Sequence, residues 1–266
     1  MSSSSTEKIQ KTYHTKATGN ALLTVEKHSH DTQLKLYGGC FCPFVQVNPL
    51  QLSLPAAIIG SRSSKLKQNP PWTHTRLILS TWIFSVPALK RGDWGCYEST
   101  VLMEYVDDIS EKKLLPQDPK QKAHTRLWAD HISRNIVPTF YRYLQAQAVD
   151  KQAEHGKEFE KQVNTLLEAA DPEGPFFAGT KPSFVDVMVA PWILRCPRVL
   201  QPYRGWQPPP ADSRFGRFIA ALEGEDSVRA TTSDDELYLD SYERYAENRP
   251  NTSQVAKAIN EGRGLP

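Results

Sequence analysis

A cysteine followed directly by a proline, Cys42-Pro43-Phe44, stands just after the apolar run Leu34 to Gly39. The pattern predicts a strand that turns sharply into a helix with a thiol at the turn. Pro43 suits the first helical position, where its missing N–H costs nothing. Cys42 then falls at the N-cap, where free backbone N–H groups and the positive end of the helix favour a thiolate. A cysteine so placed has its pKa lowered from about 8.5 into roughly the 3.5–7.5 range, which makes a nucleophile at neutral pH. Cys40, two residues earlier, offers either a Cys-x-Cys redox pair or a packing residue. Tyr37 offers a hydroxyl, but from within the strand. Downstream, Ser99 opens a helical pattern with apolar residues at 101, 102, 105 and 106, and suits a helix cap. No zinc-ligand spacing and no phosphate-cradling glycine loop is present. The histidines form no metal-binding constellation.

The elements that must position these residues come in a definite order. Residues 1–32 read as a disordered extension, with a short strand around Ala21-Leu22-Leu23. Residues 33–39 are the first strand. Val86-Pro87-Ala88-Leu89 leads through a Lys-Arg-Gly-Asp turn into Trp94-Gly95-Cys96-Tyr97 and then Glu98-Ser99. A first domain over 33–108 is joined by a linker, 109–119, to an all-helical domain over 120–247; residues 248–266 read as a loosely held tail. In the helical domain Leu127, Trp128, Ile132, Ile136, Phe140 and Leu144 recur at three- and four-residue steps, and Pro138 predicts a kink. Ser183-x-x-Asp186 predicts a capping box ahead of a helix, Phe184 to Ile193, apolar enough on all sides to be buried. Trp128, Phe140, Tyr141 and Trp192 are either core or the lining of an apolar pocket.

In combination, Cys42-Pro43-Phe44, Val86-Pro87-Ala88-Leu89, Tyr97-Glu98-Ser99 and Ser183-x-x-Asp186 resemble a glutathione S-transferase of the omega-like, cysteine-using group. The order and spacing carry the likeness: Cys42 to Pro87, eleven positions on to Glu98, then linker and helical domain. The resemblance implies an α/β plus all-α fold, a thioredoxin-like N-terminal domain followed by a helical C-terminal domain. It implies glutathione as cosubstrate, a small electrophilic or disulfide substrate, and a homodimer. It implies Cys42 as catalytic nucleophile, Val86 and Pro87 at the cysteinyl part of glutathione, and Glu98 and Ser99 at its γ-glutamyl end. Thiol transfer, reduction or conjugation, in detoxification or secondary metabolism, would follow. A non-catalytic binding or regulatory relative is the alternative.

Residues 46–85 depart from that family. Pro49, Pro55 and Pro70-Pro71 interrupt a segment without any acidic residue between Asp31 and Asp93. Either the segment is genuinely divergent or a retained intron or shifted frame has replaced the native stretch. Composition bounds the rest. The chain has 266 residues, 39% hydrophobic and 23% charged, with a formal net charge of +2. Nothing here favours nucleic acid or an anionic membrane as partner. No apolar run reaches the ~18 residues of a membrane span, and the N-terminus lacks the apolar core of a secretory signal. Four scattered cysteines fit reduced thiols in a cytoplasmic protein.

Overall fold

The structure, a computed structural model, describes residues 13–47, 57–60 and 87–266. The proline-rich expectations of 48–56 and 61–86, Val86 among them, lie outside the described residues.

The first domain is a four-stranded sheet in the order β2-β1-β3-β4, built from β1 (Leu34–Gly38), β2 (Ala57–Gly60), β3 (Ala88–Arg91) and β4 (Trp94–Tyr97). β1 and β2 run parallel, as a crossover through α2 (Pro43–Gln46) requires. β3 and β4 form an antiparallel hairpin beside β1. Its tight turn uses Gly92 at φ +58°, a conformation glycine adopts without steric cost. Leu34 and Leu36 of β1, Leu89 of β3 and Val45 of α2 close a small core with Leu102 and Val106 of α3 (Ser99–Ile109).

The all-helical domain follows. α4 (Pro119–His131) passes through a π-helical turn, Ile132–Ile136, into α5 (Val137–Gln145). The widened turn immediately precedes Pro138, which brings no N–H to the helical ladder. Where the sequence predicts a kink, the structure has this π-helical turn. α6 (Val149–Glu168), α7 (Phe184–Arg195), a second π-helical turn (Cys196–Leu200), α8 (Gln201–Arg204), α9 (Arg214–Gly224), α10 (Asp226–Ala230) and α11 (Asp235–Ala246) complete the bundle. Every residue of α7 is buried, as its apolar circumference demands. Its start is fixed by Asp186, whose carboxylate accepts from Ser183 N–H at 2.7 Å, Ser183 Oγ–H at 2.6 Å and Phe177 N–H at 2.8 Å.

Both chain ends differ from expectation. Instead of a disordered stretch with a strand near Ala21, residues 19–27 form helix α1 (Gly19–Lys27). Ala21 N–H donates to Thr232 O at 3.2 Å, and Asp234 N–H to Thr18 Oγ1 at 3.0 Å. Ala21, Leu22 and Val25 share a helical stripe that no strand period would align. The tail is likewise held. α12 (Gln254–Asn260) buries Ala256 and Ala258, and Gln145 Nε2 donates to Ala256 O at 3.2 Å and Asn260 Oδ1 at 2.9 Å. In each case the tertiary partner supplies what the local sequence lacks.

Candidate active site around Cys42

β1 delivers the chain to Gly38, and a glycine is needed there. A Cβ at this position would meet the Val45 methyls at 2.3 and 2.5 Å, so its absence lets α2 settle on the strand. The chain then turns tightly, with Cys42 N–H donating to Gly39 O at 3.1 Å. Cys42 occupies the N-cap of α2 in extended backbone, φ −75°, and Pro43 takes the first helical position, as the sequence predicts. The Cys42 carbonyl accepts from the N–H groups of Val45 and Gln46 at 3.2 and 3.1 Å.

The cysteine lies at the seam between the two cores. Its side chain packs against the sheet core, whereas Phe41 and Phe44 on either side pack into the helical core. Phe44 meets the Trp192 ring edge-on at 5.1 Å, and Phe41 meets Tyr242 at 6.1 Å. A Cys42 charge would be felt by three buried tyrosines, Tyr141 of α5 and Tyr242 and Tyr245 of α11, and by Arg195 of α7. The thiol is not held low. Burial pushes it above the ordinary cysteine value, outweighing the N–H groups of Val45 and Phe44 and the Arg195 charge, which all pull it down. The expected depression of the Cys42 pKa is therefore corrected. A one-turn helix supplies little dipole, and the helical domain strips water from the sulfur.

Register brings the other expected residues to the same end of the sheet. Tyr37, Ala88 and Tyr97 stand in one row across β1, β3 and β4. The buried Pro87 immediately precedes β3 and Glu98 immediately follows β4, so both lie just beyond that row, at the end of β1 from which the chain runs on to Cys42. Glu98 caps α3 with φ +74° and ψ +110°. Apart from two asparagines it is the one non-glycine residue at positive φ among the described residues. Such strain persists where the surroundings over-determine it, and it gathers at ligand clamps. Glu98 is exposed and Ser99 half-buried, at the start of an eleven-residue helix with its first N–H groups free of intrahelical partners.

The remaining candidates separate. Tyr37 lies beside Lys35, on the face of β1 opposite Leu36 and Gly38, and is not brought to Cys42. Cys40 is half-buried, its Sγ donating to His14 O at 3.8 Å. Cys96 is half-buried and Cys196 fully buried; all four thiols are free. Of the aromatic candidates, Tyr141 and Trp192 line the Cys42 region. Phe140 is core against Phe159, and Trp128 belongs to a separate group with His124 and Phe177. Arg195, Gln46, Tyr242 and Tyr245 were not foreseen. One signal pointed to the first: Arg195 is the lone basic residue of a helix that is apolar from Val187 to Leu194.

No protein-family model matches the chain. Known relatives do. The crystal structure of glutathione transferase Omega 3C from Trametes versicolor superposes with a TM-score of 0.75 at 37% identity, covering 87% of this chain and 98% of that one. The probable glutathione transferase omega-2 of Caenorhabditis elegans is 28% identical over 233 residues, 82% of this chain and 88% of its own. Glutathione S-transferase omega-1 of Mus musculus is 27% identical over 165 residues, 61% and 67% of the two chains. With the sheet, the helical bundle and the Cys-Pro turn all in place, the chain belongs to the glutathione S-transferase superfamily, among its omega-like members.

Proposed function

We propose that Cys42 is the nucleophile of a glutathione-dependent thiol transfer or reduction acting on a small disulfide or electrophilic substrate. The observation that carries the reading is the position of Cys42. It stands at the seam of the two domains, at the sheet end that also presents Pro87 and Glu98. As a family member the protein is a glutathione transferase, with glutathione as its cosubstrate. The tripeptide fits this end chemically. The Glu98 carboxylate would receive its ammonium, and the Ser99 hydroxyl and N–H its γ-glutamyl carboxylate. Val86, with Pro87, would bind the cysteinyl portion.

In the thiol-transfer step the Cys42 sulfur attacks the glutathione-side sulfur of a glutathionylated substrate. The substrate leaves as its thiol and a Cys42–glutathione disulfide forms. A second glutathione thiolate then attacks that disulfide, releasing oxidised glutathione and restoring Cys42. Electrons balance, since one disulfide forms for each one broken: the substrate sulfur leaves reduced, and the one entering glutathione thiol ends paired with the glutathionyl sulfur the substrate brought. The thiol, at the seam of the two cores beside aromatic walls, also suits attack on an electrophilic carbon.

A homodimer accompanies this reading. Val101 of α3 is 52% exposed and Leu127 of α4 is 62% exposed. Between these helices Arg126 forms a bidentate bridge to Glu104, at 2.9 and 2.6 Å. Apolar residues beside a fixed ion pair suit coverage by a second protomer. Among the described residues no helix is long and apolar enough to cross a membrane, and a cytoplasmic location agrees with the free thiols.

The test compares the parent with Cys42→Ala in glutathione-dependent reduction of a small mixed disulfide, alongside retention on immobilised glutathione. Loss of turnover with glutathione retention kept is the expected result. Full turnover in Cys42→Ala would exclude this nucleophile, and a folded parent that neither binds glutathione nor turns over would point to a non-catalytic relative.

A further inference from the structure

Arg195 is 1% exposed, and among the described residues no carboxylate pairs with it. A buried guanidinium without a counter-ion is costly, and structures keep such a charge only where something compensates it. Its partners here are all neutral. Nε donates to Tyr242 Oη at 2.7 Å, Nη1 to Gln46 Oε1 at 2.8 Å and to Pro191 O at 2.6 Å, and Nη2 to Phe41 O at 2.9 Å. The Tyr238 and Tyr242 rings lie 4.8 and 5.5 Å from the guanidinium carbon. Four of its five N–H donors are thus used. The fifth, on Nη2, has no protein acceptor among the described residues.

Two of those acceptors bracket the nucleophile. Phe41 immediately precedes Cys42, and Gln46 closes the turn of helix that follows it. Phe41 O is held a second time, by Tyr242 Oη–H at 3.4 Å. One side chain of the helical domain therefore fixes the peptide entering Cys42 and the helical turn leaving it. We propose that Arg195 is the positioning residue of this site: it clamps the Cys42 loop from both sides and supplies the fixed positive charge that the thiolate, once formed, neutralises. The assignment rests on Cys42 being the nucleophile, and goes beyond it by naming what holds and charges it.

The groups facing Cys42 come from four elements: Arg195 on α7, Tyr141 on α5, Tyr242 and Tyr245 on α11, and Cys40 with the Phe44 and Val45 N–H groups on its own loop and turn. Arg244 of α11 lies over the neighbouring Phe41 and Tyr245 rings, at 5.2 and 5.8 Å, but among the described residues Arg195 is the one cation that pulls the thiol down, and burial pushes the tyrosines up so that they stay neutral. The charge of Arg195 is therefore separable by substitution.

The experiment is the pH profile of iodoacetamide alkylation at Cys42, read by peptide mass spectrometry on folded full-length protein without glutathione. Arg195→Met is expected to move the midpoint upward by about one unit, a roughly tenfold loss of rate at pH 8. Arg195→Lys, which keeps the charge, is expected to stay within about threefold of the parent, on the scale of one hydrogen bond. A Met profile that overlies the parent overturns the proposal, and so does a Lys profile that falls as far as Met. Should both variants fail to fold, Tyr242→Phe decides. It keeps the ring but removes the Nε acceptor and the second donor to Phe41 O, so severalfold slower alkylation is expected and an unchanged rate overturns the proposal. Because no glutathione is used, failure here is distinct from failure of the Cys42→Ala turnover test.

Discussion

Removing the Asp186 carboxylate should cost the helical domain a large share of its stability. Asp186 is fully buried and accepts from three donors, two of them the backbone N–H groups of Phe177 and Ser183. In Asp186→Ala the Phe177 N–H loses its acceptor in the interior and the Ser183 N–H loses its acceptor at a half-buried position, at about 1–3 kcal/mol each. Loss of a carboxylate from the first turn of α7 adds roughly 0.3–1 kcal/mol. Against this stands the desolvation of the carboxyl, which raises its pKa above the ordinary aspartate value and is relieved by the substitution. The balance is a loss of about 2–5 kcal/mol, or a fall in melting temperature of roughly 4–20 °C at ~2–4 °C per kcal/mol. Asp186→Asn keeps one acceptor but turns an amide N–H toward Ser183 N–H, and should lose about 1–3 kcal/mol. Urea unfolding followed by far-ultraviolet circular dichroism measures both. An Asp186→Ala midpoint equal to the parent's would refute the claim that this carboxylate ties the Phe177 turn to the start of α7.

Four further outcomes follow. Because burial raises the Cys42 thiol, its alkylation should be slower than that of free cysteine at pH 7 and still be rising where that of free cysteine has levelled off; a plateau below pH 7 would contradict this. Buried Cys196, pushed higher still, should stay unmodified throughout in the same peptide map. Gly38→Ala should drive α2 off the strand, since both Val45 methyls lie within 2.5 Å of the new Cβ; a loss of about 1–3 kcal/mol and slowed Cys42 chemistry would appear in unfolding and turnover assays. Glu98→Gly should relieve the positive φ and stabilise the protein by up to about 1–2 kcal/mol, while retention on immobilised glutathione weakens; undiminished retention would remove Glu98 from the binding site.

How far the sequence could be read depended on whether a residue's role was local. The Cys42-Pro43 turn, the hairpin at Gly92 and the Ser183–Asp186 box are settled within a few residues, and each stands where its spacing implies. The irregularity before Pro138 is of the same kind. α1 and α12 are short and weakly patterned, and become helices by docking on residues 232–234 and on Gln145, far off in the chain. The Cys42 pKa depends on the same distinction. The local argument from a helix N-terminus points downward, whereas the tyrosine walls brought by α5 and α11 point upward and prevail. Arg195 is a purely tertiary residue too, since its partners Phe41 and Gln46 lie about 150 positions away.

The central claim, that Cys42 carries the chemistry, is tested most directly by locating the glutathione adduct. Incubation of the folded protein with oxidised glutathione, followed by peptide mapping under non-reducing conditions, should find one glutathione disulfide on the peptide containing Cys42, released again by free glutathione. An adduct confined to Cys96 or Cys40, or turnover continuing with no adduct on the Cys42 sulfur, would contradict the account.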